Sequence, residues 1–152
     1  MKSLAALTLL ALLATAHAAD DEGYYQDPPP LAATRGLADC PPPVVRKLTP
    51  EQARREAHQR VERGTSCWLA GKCEAGGDYK DDDRVNAQIA EALAADRRLA
   101  RTSLWVETLR KFVTVKGCVA TESQRRVAEA LARAVPKVKL VWMEAKVVKP
   151  AR

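Results

Sequence analysis

The chain is poor in histidine: it has two, His17 and His58, among 152 residues. That is too few for a histidine-rich metal centre, and no Ser-His-Asp set can be assembled around them. It has one phenylalanine, and aromatic residues make up only 5% of the whole. No Cys-x-x-Cys pair occurs, which speaks against a zinc knuckle or a thioredoxin-like redox centre. No glycine-rich phosphate loop is present. One long apolar run exists, Leu4 to Ala14, and it falls short of the roughly 20 residues that a membrane-spanning helix needs. These absences leave no cofactor, metal or catalytic constellation to assign, and they direct attention to binding or structural roles.

The apolar run follows Lys2 and precedes Ala16-His17-Ala18, a small-x-small cleavage signal. Together they read as a secretory signal peptide over residues 1–18, with a mature start at Ala19 and a periplasmic destination. The formal net charge is +6. Export removes nucleic acid from the candidate partners. It leaves phospholipid headgroups or acidic envelope polymers, or simply a well-solvated surface.

Cys40, Cys67, Cys73 and Cys118 form an even set, for which two disulfides are the expectation in an oxidising compartment. The short spacing between Cys67 and Cys73, with Gly71 available for a turn, favours Cys67–Cys73 with Cys40–Cys118 among the three possible pairings. Residues 19–48 contain Pro28-Pro29-Pro30 and Pro41-Pro42-Pro43 and read as a mobile, Pro-rich arm. Thr49, Pro50 and Gln52 form a helix-start signature, and Gly64 is the expected stop after Arg63. The rest of 49–80 is a cysteine-containing linker ending at Gly76-Gly77. Aspartates at 78 and 81–83 precede a helix, where the positive end of the helix dipole favours them.

From Asp82 onward the periodicity is clear. Val85, Ile89 and Leu93 mark a helix to about Asp96. Alternation then predicts strands over Ser103–Leu109 and Phe112–Val119, joined at Arg110-Lys111. Thr121 and Gln124 open a second capped helix, anchored by Val127 and Leu131 and ending before Pro136. A third strand is expected over Lys139–Val148.

This order, with Val115-Lys116-Gly117-Cys118-Val119, the Thr121–Leu131 helix start and the Pro136-Lys137-Val138 break, resembles the BON domain. The resemblance covers 82–148 and implies an α+β fold. Two helices would cover one face of a three-stranded mixed sheet in the order α-β-β-α-β, with the Pro-rich arm and one extra helix in front. Arg110-Lys111 replaces the usual Asn-Gly, so a looser turn than type I′ is expected. Gly117 is read as a backbone glycine.

Alternation places Trp105, Leu109, Phe112, Leu140 and Trp142 on the face that such a fold leaves open. Either residues 40–70, pinned through Cys118 and aided by Trp68-Leu69, cover it, or a partner does. The family implies a non-catalytic module that contacts anionic phospholipid or an envelope component. The alternative is a structural or stress-protective envelope protein acting through protein contacts of its arm and aromatic face.

Overall fold

A computed structural model describes residues 23–149. The leader assigned to residues 1–18 lies outside the described residues, so the cleavage after Ala18 stays an expectation from sequence. The elements in chain order are β1 (Tyr24–Tyr25), β2 (Leu31–Arg35), β3 (Lys47–Leu48), α1 (Pro50–Leu69) and α2 (Asp82–Ala95). A 3-10 turn (Arg97–Leu99) follows, then β4 (Thr102–Leu109), β5 (Phe112–Val119), α3 (Glu122–Ala134), β6 (Leu140–Met143) and β7 (Lys146–Val147).

The core is a sheet with α2 and α3 on one face. Val85, Ile89 and Leu93 of α2 meet Leu104, Val106, Val113, Val115, Val119 and Val141 from the strands, all buried. β4 and β5 are an antiparallel hairpin, and β6 and β7 run parallel to β5. A parallel neighbour requires a crossover, which α3 supplies. Both capping boxes form: Thr49 with Gln52 at α1, and Thr121 with Gln124 at α3. In α3 the fully buried residues are Ala128 and Ala132, while Val127 and Leu131 are only partly buried. The small side chains sit deepest, and Val127 and Leu131 pack against the same core from its margin.

Five features depart from the sequence-based expectations. First, the sheet has five strands, not three. Second, part of the expected mobile arm is one of them: β2 pairs antiparallel with β4, with a register shift between Ala32 and Thr34. Thr34 secures this edge. Its Oγ1 lies 2.8 Å from Thr102 Oγ1 and accepts the Leu104 N–H at 3.0 Å. The prolines flank β2 without entering it, so its ladder donors are intact.

Third, α1 does not stop at Arg63 but runs through Gly64 to Leu69. Gly64 is buried against Gly77, and a Cβ on Gly77 would collide with Gly64 Cα. Gly64 therefore serves close backbone approach rather than helix termination.

Fourth, the β4–β5 connection is a tight two-residue turn. Leu109 pairs with Phe112, and Arg110 and Lys111 have φ of 56° and 64°. Both central residues at positive φ is the type I′ pattern. Asp82, at the start of α2, makes it possible. Its carboxylate accepts the Arg110 N–H at 2.6 Å and the Lys111 N–H at 2.8 Å.

Fifth, the expected third strand is split. Glu144 N–H and Ala145 N–H both donate to Val115 O, which interrupts the ladder with β5 between β6 and β7; Val147 is half-exposed. Two residues facing one partner in this way is a bulge. Gly117 has φ +114°, and a Cβ there would strike the Ser103 carbonyl oxygen. Its role in the hairpin is backbone geometry.

Candidate functional site

The register fixes which side chains share the sheet face opposite the helices. Trp105 pairs with Lys116, Leu109 with Phe112, Phe112 with Leu140, and Thr114 with Trp142. Trp105, Leu109, Phe112, Leu140 and Trp142 thus lie together on one face. Phe112 and Trp142 stack with centroids 5.6 Å apart and an interplanar angle of 15°. Lys139 Nζ sits 5.7 Å from the Phe112 ring centroid.

The chain covers one corner of this face. Cys40 is bonded to Cys118 and Cys67 to Cys73. Leu37 and Ser103 exchange two hydrogen bonds: Leu37 N–H donates to Ser103 Oγ, and Ser103 Oγ donates to Leu37 O, each at 3.0 Å. Residues Leu37 to Pro42 therefore wall the corner beside Trp105 and Ser103.

The opposite corner is open. Trp142 is 49% exposed and Leu109 47% exposed. Cover of the whole face by residues 40–70 is therefore incorrect. After Cys40 the chain turns away to pair β3 with β1, and α1 reaches only the rim. There Glu56, Gln59, Arg60 and Arg63 line a cleft with Glu107 and Leu109. Trp68 and Leu69 add no cover either; they are 51% and 75% exposed at the end of α1.

Charge on this face is of both signs. Arg35 and Lys146 are exposed and in register with Ser103 and Cys118, at the covered corner. Lys116 is paired with Glu107 at 2.6 Å.

Next to Phe112, at the hairpin end, lies a charge cluster that sequence reasoning treated only as helix-dipole aspartates. Asp78 faces Lys139 at 2.9 Å, Arg110 at 3.7 Å and Lys111 at 3.9 Å. Asp81 faces Lys137 at 2.7 Å, Arg84 at 3.0 Å and Lys111 at 3.8 Å. Lys137 also meets Glu74 at 3.2 Å. The Lys137 ammonium, with Arg84, holds the Asp81 carboxyl down at about 2. Lys139 lowers Asp78, against the opposing effect of burial. Asp82 is raised instead, because burial outweighs the two backbone N–H groups it accepts.

The signs follow from linkage. A depressed aspartate stabilises the fold above its unfolded value and loses that contribution as pH falls through its folded value. For Asp81 the window runs from its usual 3.8 down to about 2. Asp96, held at about 2 by Arg98, loses its contribution in the same window. Asp82 acts in the opposite sense, since its raised value means the folded state holds that proton more readily. We expect urea midpoints to fall between about pH 4 and pH 2. Asp81→Asn should flatten part of that fall; an unchanged acid slope would remove Asp81 from its cause.

The atoms of Cys67, Cys73 and Asp78 that could bind a metal come within 4.8 Å of one another. The two sulfurs are bonded to each other and the carboxylate faces three cations, so the trio is not arranged for a cation. Among the described residues no helix is long and apolar enough to cross a membrane.

No curated protein matches the chain. A family model described as BON domain matches residues 81–149, which contain α2, the hairpin, α3 and the parallel strands. Residues 81–149 of the chain are a BON domain.

Proposed function

We propose that the chain is a non-catalytic binding module of the cell envelope, exported to the periplasm, whose open sheet corner docks on anionic phospholipid. The Phe112–Trp142 stack, with Trp142 49% exposed and the Lys139 ammonium over the Phe112 ring, carries this reading. Tryptophan has an apolar body and a polar N–H and favours the membrane–water interface. A nearby Lys or Arg adds about 1 kcal/mol of attraction to an anionic leaflet, within a Debye length. The two disulfides suit an oxidising compartment. Family membership supports binding rather than catalysis.

Cosedimentation with vesicles tests this. The protein is expected to pellet with phosphatidylglycerol vesicles at low salt, to be released at high salt, and to stay in solution with phosphatidylcholine. Trp142→Ala should weaken binding by about tenfold, the effect of losing roughly 1.4 kcal/mol of ring burial. Equal pelleting with both lipids, no pelleting with either, or an unaffected Trp142→Ala would overturn the proposal. Failure with vesicles but recovery of a specific envelope protein would favour protein contact through the same face.

A further inference from the structure

We propose that the acidic segment Glu74–Asp81 is a displaceable internal ligand. It occupies a cationic site at the hairpin end of the BON domain and limits that site's access to anionic phospholipid. This rests on the phospholipid-docking function proposed above and adds its regulation.

The cations come from two places in the domain: Arg110 and Lys111 in the β4–β5 turn, and Lys137 and Lys139 in the stretch leading into β6. The Lys139 N–H donates to Lys111 O at 2.9 Å, which holds the two groups side by side. Arg110, Lys137 and Lys139 have exposed side chains, while Lys111 is buried at the base. Four cations gathered at one end of a domain form an anion site by charge alone. Here three carboxylates of the chain meet them: Glu74, Asp78 and Asp81.

The site adjoins the proposed docking corner. Lys139 both binds Asp78 and stands over the Phe112 ring. An anionic surface approaching Phe112 and Trp142 therefore competes with Asp78 for the same ammonium.

The segment is also held from behind. Gly77 packs on Gly64 of α1. The Arg60 and Arg110 guanidiniums both stand over the Tyr79 ring, at 5.6 and 6.0 Å from its centroid. With the chain running directly into α2 at Asp82, these contacts keep the carboxylates at high local concentration beside the site. The ordinary role of such a cluster, fastening a linker to a domain, explains the ion pairs. It does not explain why the cations adjoin the Phe112–Trp142 stack.

The test compares the full chain with Asp78→Asn/Asp81→Asn on phosphatidylglycerol vesicles. Freeing two cations at the surface should raise affinity roughly ten- to thirtyfold and steepen its salt dependence. Adding Lys137→Gln/Lys139→Gln should cancel the gain. Glu51→Gln/Glu62→Gln on the outer part of α1 makes the same change in net charge away from the site and should give a much smaller gain. Circular dichroism and a thermal melt establish that each variant is folded.

Should the double aspartate variant fail to fold, Glu74→Gln decides instead. Glu74 is exposed and pairs with Lys137. It should give roughly a two- to fivefold gain. Wild-type binding with no gain in a folded variant, or an equal gain in the α1 control, would overturn the internal-ligand proposal and leave the docking face standing. No binding by the wild type or by any variant would overturn both.

Discussion

Replacing Cys40 and Cys118 together by serine is expected to lower the unfolding free energy by about 4.5 kcal/mol. The bond joins residues 78 apart in sequence, and closing a loop of that size removes much of the denatured chain's freedom. In the folded state the effect should be local. β2 is held to β4 by its own ladder and by Thr34, and Leu37 by Ser103, so residues up to Leu37 should stay docked. The segment from Ala38 onward should loosen and uncover Trp105. Trp142, already half-exposed, should not change, so a hydrophobic dye should gain only one new corner. Urea denaturation with and without reductant measures the loss. A loss below 1 kcal/mol would mean that the denatured chain keeps these segments together without the bond.

Asp82→Ala should cost about 3 kcal/mol, the second largest effect expected of a small change. The alanine leaves the Arg110 and Lys111 N–H groups without their acceptor, and a hydrogen bond to a charged group is worth about 1.5–3 kcal/mol. Some of that is offset already, because burial of the carboxylate opposes its charge. The turn loses its support at two residues that disfavour positive φ. A second change should rescue it. Arg110→Asn with Lys111→Gly supplies the pair that adopts type I′ unaided. In that background Asp82→Ala should cost about 1–2 kcal/mol less, a coupling that a double-mutant cycle reads directly. Additive losses would show that Asp82 acts on α2 alone.

Periodicity and capping are local, so they were legible. Thr49 with Gln52 and Thr121 with Gln124 announced two helix starts to the residue. Alternation placed Trp105, Phe112, Leu140 and Trp142 on one face, as the strand register does. What escaped depends on contacts distant in sequence. β2 is five residues long, flanked by prolines and interrupted by a register shift, and its partner β4 lies some 70 residues away. Nothing local marks it as a strand. Gly64 looked like a helix stop because its partner Gly77 lies beyond the helix. A second glycine within reach was the available signal. Asp82 looked like a first-turn acid, which it is, but its hydrogen bonds go to a turn 28 and 29 residues later. The same distance hid the pairing of Asp78 and Asp81 with Lys137 and Lys139. Both signs of charge were visible in the sequence, but not their meeting. The open corner could not be told from the covered one, because the path of the chain after Cys40 decides it.

The docking face can be tested most directly on a chain whose sole tryptophan is Trp142, made by Trp68→Phe and Trp105→Phe. Its fluorescence is read with vesicles of brominated phosphatidylglycerol or brominated phosphatidylcholine. If the Phe112–Trp142 corner docks on anionic lipid, bromines near the headgroup boundary should quench Trp142 strongly in the anionic vesicles, and quenching should fall away at high salt and with the neutral lipid. If the protein cosediments with the anionic vesicles while Trp142 remains unquenched at every bromine depth, the corner is not the contact surface.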